Sequence, residues 1–415
     1  MKINSKRLLN NLNSLADTGK TEGRQGIYRM AFSEGDLLGR KWLEEKINEA
    51  GLLCQVDGAG NIHGIYQDDE NKNEAAIFTG SHIDSVPAAG HLDGTLGVLA
   101  ALECLQTLAE NRVKTNHPLR VIAFSDEEGR FGGTLGSMAI AGELTPEILE
   151  SARDLNGIML KDAMTHAGLS PEEALHARIN PEKIYCYLEL HIEQGPVLDA
   201  ASIPIGIVEA ITGIVKWNVR LIGASNHAGT TPMDMRQDAF LGLCEFSVRL
   251  KEILQKHGSS SSVATIGKVS LVPGTANTVP EIASFSLDFR DPDSGVLEIL
   301  VDAFRTELSW IARKNNLMFE FEILSSIQPA LCDKEIINTL EQTAEEFGIQ
   351  THKMTSGAVH DAQVMSLITK TGMIFVPSKA GKSHSIAEWT HPEDIKTGAQ
   401  LLLNTLIKLS GVKHD

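Results

Sequence analysis

Two apolar periodicities alternate along the chain. Leu8, Leu9, Leu12 and Leu15 recur at helical spacing, and residues 33–50 carry a second amphipathic pattern that stops at Gly51. Residues 52–56 and 62–66 then read as paired strands around the turn-forming run Asp57-Gly-Ala-Gly60. The apolar, β-branched run 75–79 predicts a buried strand that delivers His82 and Asp84 to its C-terminal end. Behind it, Leu96, Val98, Leu99, Ala101, Leu102 and Leu105 predict a helix packed on the sheet. Residues 119–124 and 184–192 are two further buried strands.

Near Ile205 the organisation changes. Residues 215–221 alternate apolar and polar, 238–257 have helical spacing, and 263–269 and 282–288 alternate again. A helix at 294–314 and a strand at 318–324 follow. The order β-α-β-β-α-β is the split, ferredoxin-like arrangement. It predicts an inserted domain at 207–325 within a larger α/β domain made of 1–206 and 326–415. In that second stretch a helix (334–347), a strand (373–376) and a closing helix (392–409) resume the α/β pattern.

A chain of 415 residues is long for a single core, which agrees with two domains. No window approaches the roughly 18 consecutive apolar residues of a membrane span. The N-terminal segment is basic without a continuous apolar region, so no secretory signal and a cytoplasmic location are expected. Cys54, Cys104, Cys186, Cys244 and Cys332 are scattered and lack CxxC spacing, which argues against a disulfide framework or a thiolate zinc site. The formal net charge of −17 argues against nonspecific binding of nucleic acid, whose phosphates need clustered Lys and Arg. It leaves room for anionic small molecules, which one or two arginines in a cleft can read.

The candidate chemistry sits at strand ends. His82 and Asp84 end one strand, and Asp93 follows after a loop. Imidazole and carboxylate together suit a divalent cation, and a carboxylate has two oxygens with which to bridge a pair of them. Taken alone, such residues also make an ordinary hydrogen-bonded turn. Strand 119–124 ends in Ser125-Asp-Glu-Glu-Gly129, where one glutamate could ligate while its neighbour handles protons; a solvated acidic turn is the plainer alternative. Strand 184–192 ends with His191. His82, Asp93, Glu128 and His191 thus recur at equivalent places, which favours a shared site.

The segments GSHIDS, HLDG, SDEEG, ELHIEQGP, NHAGTTPM, PGTANTVP, DFRD, SGAVHDA and SHSIAEWT occur in this order over nearly the whole chain. Together they resemble the metal-dependent amidohydrolase branch of the M20 peptidase superfamily, which includes N-carbamoyl-L-amino-acid hydrolases and allantoate amidohydrolases. The resemblance implies a metallopeptidase-like catalytic domain split around a smaller lid, with a homodimer formed through that lid. It implies two divalent metal ions (zinc, manganese, cobalt or nickel), one on His82 and His191 and the other on Glu128 and His384. Asp93 would bridge them, Asp84 would orient His82, and Glu127 would be the general base. Gln194, His227, Asn277 and Arg290 would contact substrate, as would Gly357 and Ala358. His227, supplied across the dimer, would also polarise the scissile carbonyl.

Read without the resemblance, Arg290 between Asp288 and Asp291 is a strand-end ion pair, and Asn277 is a turn residue. Two features depart from the branch: the loop Glu128-Gly-Arg-Phe-Gly132 is a residue shorter than EEGxRF, and Val359 replaces a glycine. The implied activity is hydrolysis of the ureido group of a carboxylate-bearing small molecule, an N-carbamoyl-L-amino acid. Allantoate hydrolysis, a dipeptidase or aminoacylase activity, and a metal-bound scaffold without catalysis are the alternatives.

Overall fold

The computed structural model of the protein describes residues 1–412. It divides into two compact units, one comprising Met1–Glu209 and the chain from Cys332 onward, the other Ala210–Leu331.

The first unit is built on a mixed sheet. Across it lie the strands Leu53–Val56, Ile62–Tyr66, Leu119–Phe124, Ala76–His82, Ile184–Ile192, Thr371–Val376 and Ile205–Ile211, with Thr351–Ser356 pairing the last of these. The four central strands, from Leu119–Phe124 to Thr371–Val376, are parallel, and their neighbours on either side run antiparallel to them. Parallel strands covered on both faces read as continuous apolar runs. Accordingly all seven residues of Ala76–His82 are buried, as are all six of Thr371–Val376. The helix Thr95–Glu110 buries Leu96, Val98, Leu99, Leu102 and Leu105 and packs on the Ala76–His82 strand. Parallel alignment has one consequence that matters below. The C-terminal ends of the four strands, and the loops leaving them, share one edge of the sheet, where open α/β sheets place their ligands.

The second unit has the element order strand Gly213–Ile222, helix Ala239–His257, strands Val263–Thr265, Val269–Val272 and Ile282–Asp291, helix Ser294–Lys314 and strand Met318–Ile327, with a two-stranded sheet of Asn226–His227 and Thr278–Val279 beside them. Its main sheet is antiparallel, and Trp217, Phe246, Phe285, Phe289 and Phe304 fill its core.

The sequence pattern and the structure differ in several places, three of which have a plain physical reason. The expected strand 263–269 is interrupted: Thr265 pairs with Asp288 and Val269 with Phe285, so residues 266–268 face only Ser286 and Leu287. The extra residue makes a bulge at Gly267, where the missing side chain removes the reason to stay in register. The strand Ile205–Ile211 begins where only a change of organisation is legible. Short helices at Leu135–Ala141, Pro146–Ser151, Leu160–His166 and Pro171–Ala174 occupy a stretch too short in each piece for a period to show. Among the described residues no helix is long and apolar enough to cross a membrane.

Candidate metal centre

Three of the parallel strands end in the residues that gather at this edge. Ala76–His82 supplies His82 as its last residue, and Ile184–Ile192 supplies His191. The chain leaving Leu119–Phe124 turns sharply at Asp126, which adopts a left-handed φ of 52°. The Asp126 carboxylate accepts from the Phe131 N–H at 3.0 Å and so fixes the short loop that carries Glu127 and Glu128. The chain beyond Thr371–Val376 brings in His384, also at positive φ (51°). Positive φ in residues other than glycine costs energy and clusters at functional sites; Gln194, at φ 58°, is a third case here.

Asp93 lies at the centre. Its Oδ1 is 3.2 Å from His191 Nε2 and 3.9 Å from His82 Nε2, while its Oδ2 is 3.1 Å from His384 Nε2. Glu128 Oε2 is 3.4 Å from the same His384 nitrogen. The side chains therefore fall into two groups with ligand atoms within 4.8 Å of one another, His82–Asp93–His191 and Asp93–Glu128–His384, with Asp93 common to both. Glu127 stands beside the first group, its Oε2 3.5 Å from His82 Nε2. A third group, Glu189–His191–His360, shares His191. There, however, Glu189 accepts from Ser81 and Tyr187 hydroxyls and the Ala362 N–H, and His360 lies 2.9 Å from the Ser356 hydroxyl, so its members are already partnered.

The histidines are oriented by carbonyls. His82 Nδ1 is 3.0 Å from the Asp84 backbone oxygen and His191 Nδ1 is 2.9 Å from that of Ile192, which leaves both Nε2 atoms facing Asp93. The Asp84 carboxylate, 3.8 Å from His82 Nδ1, does something else as well: it accepts from the N–H groups of Glu127 and Glu128 at 3.3 and 3.2 Å. Asp84 thus joins the His82 strand end to the acidic loop through its backbone and its side chain separately.

The electrostatics describe a site short of positive charge. Burial raises Glu127 well above the usual carboxylate range, and Asp361, Glu128, Asp84 and Asp93 push it further. Glu128 is raised in the same way by burial and by Asp93. Its buried Oε1 has no hydrogen-bond partner. Nitrogen and oxygen donors, an unsatisfied carboxylate oxygen and mutually repelling acids fit divalent cations. Burial lowers His82 to about 4, so its imidazole is neutral near pH 7. His191 behaves differently: burial opposes its charge, but the hydrogen bond to Asp93 and the charges of Asp93 and Glu189 push it up to about 9. A cation entering the first group must therefore displace the His191 proton. Apparent metal affinity is expected to rise about tenfold per pH unit from pH 7 toward 9 and then to level off. Titration calorimetry in buffers of different ionisation enthalpy checks this, and uptake without proton release would refute it.

The remaining sequence candidates are placed as follows. Gln194 turns its amide nitrogen onto Asp93 Oδ2 at 2.8 Å. Gly357 and Ala358 follow the strand Thr351–Ser356, whose Ser356 hydroxyl pairs with the Ala358 N–H and carbonyl. Val359 beside them is half-buried. His227, Asn277 and Arg290 belong to the second unit. There Ala228 N–H donates to the Asn277 carbonyl at 2.9 Å, Thr278 pairs with His227, and Arg290 forks onto the Asp288 carboxylate at 2.9 and 3.2 Å. Two further residues touch the centre without having been singled out, Ser383 and Glu388. Both stand inside SHSIAEWT, where only the histidine carries a visible ligand signature.

The chain is 38% identical to an N-carbamoyl-L-amino acid amidohydrolase of Geobacillus stearothermophilus over 98% of its own length and 99% of the relative's. It is 35% identical to allantoate deiminase 1 of Glycine max, over 95% and 88%. Its fold matches the crystal structure of an amidase of the hydantoinase/carbamoylase family from Burkholderia multivorans with a TM-score of 0.91 and 33% identity, covering 99% and 98% of the two chains. Residues 72–408 match the profile of peptidase family M20/M25/M40, and the chain belongs to that family.

Proposed function

We propose that the protein is a di-metal hydrolase that cleaves the ureido C–N bond of N-carbamoyl-L-amino acids, giving the amino acid, carbon dioxide and ammonia. The observation that carries the hydrolytic part is Asp93, whose two oxygens face two separate ligand groups while Glu127 stands outside both, 3.5 Å from His82 Nε2. His82 and His191 would hold one ion, Glu128 and His384 the other. Bound there, divalent cations would polarise the carbamoyl carbonyl and make a water molecule acidic enough to attack near neutral pH.

Glu127 takes the proton from that water and returns it to the departing nitrogen. Its raised proton affinity suits both halves of this task, because a carboxylate that readily accepts a proton is the stronger base. Gln194 and the Gly357–Ala358 turn contact the substrate. In the second unit, which serves as lid and dimer contact, Arg290 binds the substrate carboxylate and exchanges its fork on Asp288 for it, while His227 and Asn277 complete the site. Exposed Met318, Ile323 and Leu324 on the edge strand of this unit suit a contact with a second copy.

The ureido substrate rests on the likeness to the amidohydrolase of Geobacillus stearothermophilus, and the likeness to allantoate deiminase 1 makes allantoate the second candidate. Ammonia release from a panel of N-carbamoyl-L-amino acids and allantoate decides between them. Turnover of several carbamoyl amino acids is expected, abolished by chelation and restored by manganese, cobalt or zinc. Turnover of allantoate alone would replace the proposed substrate, and activity that survives complete metal removal would overturn the mechanism.

A further inference from the structure

We propose that Glu388 is a positioning residue for Asp93, locking the turn that carries the shared carboxylate to the loop that carries His384. The inference rests on the reading of this site as a metal centre.

Glu388 is buried, 3% exposed, and holds Asp93 from two directions. Its Oε1 accepts from the N–H groups of Leu92 and Asp93 itself, at 2.7 and 3.2 Å. The single Ser383 hydroxyl proton is shared between Asp93 Oδ2, at 2.6 Å, and Glu388 Oε2, at 3.2 Å. The backbone of Asp93 is thus fixed directly and its carboxylate through Ser383. Both arms come from the segment that presents His384.

The approach is close. A Cβ at Gly90 would overlap the Glu388 side chain, so no side chain separates the Asp93 turn from it. The far end of the segment is anchored too. Trp389 accepts from the Lys379 N–H at 2.8 Å, and the Thr390 hydroxyl donates to the Pro377 carbonyl at 2.8 Å, just beyond the strand Thr371–Val376. Rotation of the Asp93 carboxylate would move one oxygen away from each ligand group at once. The Ser383–Glu388 arm is what opposes that rotation on the His384 side.

The hydrogen-bond geometry predicts which substitutions matter. Glu388→Gln keeps an oxygen for the two N–H groups and an N–H for the Ser383 oxygen, so it should bind metal nearly as the wild type does. Glu388→Ala removes every arm, and outer partners of metal ligands are typically worth about 10- to 100-fold in affinity. Ser383→Ala removes only the tether to Oδ2 and should weaken binding less.

The test is calorimetric titration of metal-free full-length protein with cobalt and zinc, alongside the thermal midpoint of each metal-free variant. The proposal requires a loss for Glu388→Ala, a smaller loss for Ser383→Ala at an unchanged midpoint, and recovery in Glu388→Gln. Wild-type affinity in both alanine variants would overturn it, as would a glutamine variant as impaired as alanine, which would make charge the cause. Should Glu388→Ala fail to fold, Ser383→Ala and Glu388→Gln still decide. If the wild type itself takes up no metal, the reading of the site falls first and the proposal with it.

Discussion

Replacing Glu127 by glutamine is expected to lower turnover by about 10²- to 10⁴-fold while leaving the bound metal in place. Glutamine has the same shape and keeps an oxygen toward His82, but it cannot accept the proton of the attacking water at neutral pH. The ligand groups His82–Asp93–His191 and Asp93–Glu128–His384 do not include Glu127, so metal content should match the wild type. The surroundings add a second, opposite expectation. Glu127 is crowded by Asp361, Glu128, Asp84 and Asp93, all of which disfavour its charge. Removing that charge relieves repulsion, so the metal-free variant should melt no lower than the wild type. Loss of activity with metal and stability retained separates a proton-transfer role from a ligand or a packing role. Near-normal turnover would remove Glu127 from the mechanism.

Much of this site was legible because its residues arrive by one rule. His82 and His191 are the last or nearly the last residues of apolar runs, and Glu127–Glu128 follow a third, so parallel pairing of those runs was enough to bring them to one edge. His384 was not legible in this way. Seven residues lie between it and Val376, the end of its strand, and a loop of that length follows no period; only the motif SHSIAEWT pointed to it. The contribution of Asp84 was half legible. An HxD spacing suggests a carboxylate behind an imidazole, yet a backbone carbonyl is the nearer partner and the carboxylate spans to the next loop.

Glu388 and Ser383 escaped because a glutamate or serine in a loop looks like a solvated one until its partners are known. Those partners, Leu92 and Asp93, lie almost three hundred residues away in sequence. The bulge at Gly267 escaped for a related reason: alternation continues across it, and only the partner strand reveals that three residues face two.

Gly94→Ala is expected to damage both the stability of the protein and its metal binding. Gly94 follows Asp93 directly and starts the helix Thr95–Glu110 with φ 61° and ψ −47°, a combination that a residue with a Cβ does not adopt comfortably. Strain of this kind costs about 1–3 kcal/mol. Space adds to it, because a Cβ at Gly94 would overlap the His82 ring at Nε2, the nitrogen that faces Asp93. The Gly94 N–H also lies 3.1 Å from His191 Nε2, so both histidines of the first group depend on where this residue sits. Relief requires either His82 to swing away or the Asp93 turn to lift, and each separates the ligands. A displacement near 1 Å is worth about 10²-fold in rate, which sets the least loss of activity expected, together with loss of metal. Metal content and thermal midpoint of the purified variant check both parts. The cause is separable with a double mutant: if overlap with the His82 ring is responsible, His82→Ala should recover part of the stability that Gly94→Ala loses in the metal-free protein, whereas strictly additive losses would leave backbone strain alone as the explanation.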